Sequence, residues 1–82
     1  MSTKLFVGNL SPDTTERLLR EMFTTHGRVN GVDLIVDRMS GRSRGIAFVT
    51  MDSQSAADAA VLALNGKPIN GRALAVNQAR AF

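Results

Sequence analysis

Apolar positions recur along this chain with two periods, and the alternation between those periods predicts its elements. Lys4-Leu-Phe-Val-Gly8 alternates as a short strand. Asn9 to Pro12 is turn chemistry, and Asp13, Thr14 and Thr15 are each suited to cap a helix whose positive end Glu16 favours. Leu18, Leu19, Met22 and Phe23 follow at helical spacing, which predicts a helix over 16–25, stopped by Gly27 as a left-handed cap. Alternation returns from Val29 to Val36, placing Val32, Leu34 and Val36 on one side. The polar stretch 37–43 reads as a loop, and 44–51 as the strand returning antiparallel. Asp52 or Ser53 caps a second helix over about 54–64, with Ala57, Ala60, Val61 and Leu64 inward. Asn65-Gly66 ends it, Pro68 and Gly71 shape a connection, and 73–78 forms a last strand with Leu74 and Val76 inward.

The order is βαββαβ, which predicts an α+β, ferredoxin-like sandwich: a four-stranded antiparallel sheet with both helices on one face. Eighty-two residues hold one core, so one domain is expected over 1–82. With no cysteine, disulfides and thiolate metal sites are excluded. The longest apolar run, Ala59–Leu64, is too short to span a bilayer. Together with the lack of a charged-then-apolar leader, this leads to an expected cytoplasmic location, or a nuclear one in a eukaryote, without a membrane partner. A monomer is the expected state in solution. Ten Lys and Arg against seven Asp and Glu leave a net charge of +3, and eight of the ten are arginines. Surface solubility accounts for such a balance, but the guanidinium fork also suits phosphate and base edges, so the charge tilts toward an acidic partner.

Strand alternation decides what the helix-free face of the sheet carries. If Leu5 and Val7 face the helices, Lys4 and Phe6 face out; if Gly45, Ala47, Val49 and Met51 face in, Arg44, Ile46, Phe48 and Thr50 face out. The first and third strands are central in this topology, so Phe6 and Phe48 lie side by side, next to Arg44, Ile46 and Lys4. An outward phenylalanine pair has three explanations: a strand out of register, a covering C-terminal tail, or a platform on which unpaired bases stack with cations meeting phosphate. Asp33 and Ile35 are also expected outward from the second strand. An acid there is either a solvated edge residue or an acceptor for a cytosine amino group. Arg38 and Arg42 stand in the loop between the second and third strands, where they either keep it soluble or clamp a strand of nucleic acid.

Two segments carry a resemblance to a known family. Leu5-Phe-Val-Gly-Asn-Leu10 resembles the RNP2 hexamer of the RNA-recognition motif, and Arg44-Gly-Ile-Ala-Phe-Val-Thr-Met51 resembles its RNP1 octamer, matching five of the seven fixed positions. The resemblance runs from about residue 3 to 80, and within the family it is nearest to small glycine-rich RNA-binding proteins, although no glycine-rich tail follows. It implies single-stranded RNA as partner, or single-stranded DNA on the same chemistry, in post-transcriptional regulation or RNA chaperoning. Phe6 and Phe48 would each stack a base, Lys4, Arg44 and Arg42 would meet phosphate, and Asn9 falls inside the RNP2 match as a further RNA-binding candidate. Asn77, Arg80 and backbone groups near Ala79 would bind base edges. Ile46 replaces the aromatic that normally packs on sugar; it keeps apolar contact and loses the ring face, so affinity is reduced rather than abolished.

No cofactor, metal or catalytic role is expected. His26 has no second ligand at metal spacing, Ser, His and Asp do not converge, and Gly8-Asn-Leu-Ser-Pro12 offers too few glycines to cradle a phosphate for an acylphosphatase-like reaction. The alternative to RNA binding is a protein–peptide interaction module on the same fold, to which Ile35, Ile46 and Asp33 would contribute a less basic surface.

Overall fold

A computed structural model describes residues 3–41 and 43–79. The elements run β1 (Lys4–Gly8), α1 (Glu16–Thr24), β2 (Val29–Val36), β3 (Ser43–Met51), α2 (Gln54–Leu64), β4 (Pro68–Ile69), β5 (Arg72–Ala73) and β6 (Ala75–Gln78). The main sheet has the order β2-β3-β1-β6, with every neighbouring pair antiparallel. This is the expected βαββαβ sandwich, with β1 and β3 central.

Both helices start where a side-chain oxygen replaces a missing intrahelical acceptor. Thr15 Oγ1 accepts from the Leu18 amide at 3.1 Å, and Ser53 Oγ accepts from the Ala56 amide at 3.1 Å. Leu19 and Phe23 from α1, and Ala57, Ala60 and Leu64 from α2, meet Leu5, Val7, Ala47, Val49, Met51 and Val76 from the sheet in one core. Both helices therefore cover the same face, and no helix covers the other.

Gly27 has φ 151°, which is not the left-handed cap conformation expected from the sequence. A side chain there would collide with Ala56 of α2, so this glycine lets the end of α1 approach α2. Val36 also departs from expectation: it is 46% exposed instead of facing inward with Val32 and Leu34. The pairing explains it. Ile35 pairs with Ile46, but Val36 pairs with Ser43, so Arg44 and Gly45 have no register partner on β2. Such a bulge breaks the alternation and bends the strand locally. The last strand begins at Ala75 instead of 73, because residues 68–73 form their own small hairpin, β4 pairing with β5. Its turn is Asn70-Gly71, with φ 52° and 80°, the left-handed pair that a tight two-residue hairpin turn requires.

Candidate nucleic-acid interface

On the helix-free face the register lays side chains out in rows across the strands. One row holds Asp33, Phe48, Phe6 and Asn77, because Asp33 pairs with Phe48, Phe48 with Phe6 and Phe6 with Asn77. A second row holds Ile35, Ile46, Gly8 and Ala75, and a third holds Gly31, Thr50 and Lys4. Beyond β6 the third row is completed by Ala79, whose amide donates to the Lys4 carbonyl at 2.8 Å. The direct Phe6–Phe48 pairing removes a slipped register as the explanation for the outward rings.

The two phenylalanine rings meet edge to face, with centroids 6.0 Å apart and planes inclined at 65°. Both are half-buried. This arrangement sets the positive edge of one ring against the negative face of the other. The Lys4 ammonium lies over the Phe48 ring, 5.0 Å from its centroid, as a cation–π contact. Gly8 supports Phe6 from below: a side chain at that position would sit 3.0 Å from Cε1 of the Phe6 ring and 3.1 Å from Cζ. The ring thus lies along the strand over a position where a side chain would have to push it aside by a few tenths of an ångström.

Charge at the site is mixed. Lys4 and Arg44 are exposed cations, whereas Asp33 is an exposed acid directly opposite Phe48. Arg44 sits in the bulge of β3, so it does not simply continue the outward row. It lines a cleft at the end of the sheet together with Ile46 and Arg72. Asn9 has φ 60°, and its amide donates to the Ala73 carbonyl at 2.8 Å, so its side chain ties the end of β1 to the small hairpin. Asn77 is exposed beside Phe6, while its neighbour Gln78 turns to the helix side and donates to Asp58 at 2.9 Å. Arg38 is exposed in a turn folded by Asp37, whose carboxylate accepts from the Met39 amide at 2.8 Å. The expected contacts from Arg42 and Arg80 lie outside the described residues.

Arg72 lines the cleft but was not among the RNA-binding candidates expected from the sequence. Its signal was present: Asn70-Gly71 is the dipeptide of a tight hairpin turn, and a hairpin there carries Arg72 up beside the end of the sheet. Among the described residues, no group of three or more His, Cys, Asp or Glu side chains is placed to hold a metal ion. No described helix is long and apolar enough to cross a membrane.

The RNA recognition motif family model matches residues 5–75. The chain is 48% identical over 79 residues to glycine-rich RNA-binding protein 2, mitochondrial, of Arabidopsis thaliana, covering 96% of this chain and 50% of that protein. It is 44% identical over 81 residues to glycine-rich RNA-binding protein 1 of Mycosarcoma maydis, covering 99% of this chain and 46% of that protein. The chain thus spans about half the length of these relatives. Among solved structures, it superposes on the Sxl-lethal protein/RNA complex with a TM-score of 0.94 and 33% identity, over 100% of this chain and 49% of that one. Sheet order, the paired rings of β1 and β3, and the match across nearly the whole length agree: the chain belongs to the RNA recognition motif family.

Proposed function

We propose that this chain is a single domain that binds single-stranded RNA on its open sheet face, by stacking rather than by catalysis. The observation that carries this is the register-matched pair Phe6 and Phe48, two rings 6.0 Å apart on the face that no helix covers. Each ring takes one base. Their 65° inclination gives successive bases separate platforms, so that the bound strand is splayed. The Lys4 ammonium occupies the Phe48 face in the free protein, and a base arriving there displaces it toward the neighbouring phosphate. Ile46 supplies apolar contact to ribose, and Arg44 meets phosphate from the edge of the bulge. Asn77 and the backbone at Ala79, in line with Phe6 and Lys4, address base edges.

Support from outside the chain comes from its similarity to a protein solved as an RNA complex and to proteins named for RNA binding. Ile35 and Ile46 adjoin the rings, and Ile46 lines a cleft with Arg44 and Arg72, so the apolar positions are continuous with aromatic and cationic ones, which suits RNA better than a peptide. Two rings and few cations make binding weak, on the order of micromolar, and steeply salt-dependent. Single-stranded DNA should be accepted too, because stacking does not read the sugar. A monomer in the cytoplasm is the simplest state for such a domain; relatives named mitochondrial and chloroplastic make imaging of the tagged protein the test of compartment. Fluorescence anisotropy of a labelled single-stranded RNA pool over a salt series tests the function. Affinity should fall with rising salt; an absence of binding at low salt would overturn the proposal.

A further inference from the structure

The stacking platform has a neighbour. At the end of the sheet, the β1–α1 connection, the first residues of β3 and the small hairpin line an open cleft of about 390 Å³. Its walls are fixed by backbone geometry. The Leu10 amide donates to the Gly45 carbonyl at 3.1 Å, and Gly45 has φ 83°, with space for a side chain closed off by the Leu10 carbonyl at 3.3 Å. The Asn9–Ala73 hydrogen bond holds the hairpin against this connection. Arg72, the residue before Ala73 on β5, lines the cleft together with Arg44 of the bulge.

Three features give the cleft a ligand chemistry. Arg44 and Arg72 both line it, no carboxylate does, and neither arginine pairs with an acid among the described residues. Ile46 belongs to both the cleft and the open face, so the two surfaces are continuous. The volume falls within the ~300–1,000 Å³ range of small-ligand clefts. Two unpaired guanidiniums beside an apolar floor suit a phosphodiester with its ribose.

We propose that this cleft is a further nucleotide subsite, in which Arg72, together with Arg44, binds the backbone phosphate of a nucleotide adjoining the two stacked on Phe6 and Phe48. The inference rests on the RNA-binding reading above and extends the footprint of the chain past its aromatic pair. It also gives the hairpin β4–β5 a role, since that hairpin is what delivers Arg72.

The test compares a dinucleotide with a tetranucleotide of single-stranded RNA, each titrated against the full chain over a salt series. Arg72→Gln should weaken the tetranucleotide by about three- to tenfold, lower its salt slope by about one ion, and leave the dinucleotide unchanged. Arg72→Lys should keep the salt slope, because it keeps the charge. Arg20→Gln, on the exposed side of α1, removes the same net charge from the helix side and should leave both ligands unchanged. Unaltered amide spectra would confirm that each variant is folded. If Arg72→Gln leaves the tetranucleotide unaffected while Phe48→Ala still weakens it, the subsite is wrong and the stacking platform stands. Equal weakening of both lengths would also overturn the subsite, as the contact would then not belong to an additional nucleotide. Failure of the unaltered chain to bind either RNA would remove the underlying RNA-binding proposal itself.

Discussion

The inner and outer faces of the sheet are built from alternate residues of the same strands, yet their side chains meet different neighbours. On the inner face Leu5, Val7, Ala47, Val49, Met51 and Val76 have no accessible surface, because two helices close over them. On the outer face the intervening positions hold Phe6, Phe48, Ile46 and Ile35, which bury one another only in part. A half-buried aromatic pair has already given up some surface to its neighbour and still offers apolar area to a ligand. The inner face therefore supplies stability through burial. The outer face keeps apolar area exposed, and the proposed RNA binding would draw on it. Because side chains alternate, the two roles can be changed independently, and substitution can test whether they are.

Leu5→Ala should have the largest effect. It removes a fully buried side chain from the sheet centre and should cost about 2–5 kcal/mol of stability. In a domain of this size each kcal/mol moves Tm by roughly 4–8 °C, so thermal denaturation followed by circular dichroism should show a fall of about 10 °C or more. Phe48→Ala inverts the pattern: Tm should change little, while RNA affinity measured by anisotropy drops by about 1–3 kcal/mol, the worth of one stacked base. A Phe48 variant that lost stability as Leu5→Ala does would merge the two faces. Ile46→Phe sharpens the contrast by restoring a ring beside the aromatic pair, and should tighten RNA binding by about 0.5–1.5 kcal/mol. Gly8→Ala is the smallest change. Its added methyl group would press on the Phe6 ring from 3.0 Å and tilt it from its resting position. A loss of about 0.5–1 kcal/mol in affinity is expected, roughly the scale of an off-rotamer side chain, together with altered ring-current shifts around Phe6.

Much of this was legible in the sequence, where periodicity was strict. Phe6 and Phe48 could be placed on the outer face because β1 and the C-terminal half of β3 alternate without interruption. The helices were legible from Leu19 and Phe23 and from Ala57, Ala60 and Leu64. Sequence alternation failed at Val36, because it presumes an unbroken ladder and the bulge at Arg44-Gly45 breaks it. The same bulge turns Arg44 from an ordinary outward position toward the cleft. Gly27 was legible as a helix stop but not as a packing contact, since Ala56 lies on another element. The hairpin β4–β5 has two-residue strands, too short for periodicity to register, and only the Asn70-Gly71 turn announces it. Arg72 was missed with it.

Single-stranded RNA is expected on the outer face and in the cleft that adjoins it, and not on the helices. An amide chemical-shift titration of the full chain with a random single-stranded RNA pool, at low and at moderate salt, tests this most directly. Shifts should concentrate at residues 4–9, 44–50 and 72–79, shrink at the higher salt, and leave the exposed side of α1 and α2 unmoved. Shifts spread over the helices, or none at millimolar RNA, would contradict the account.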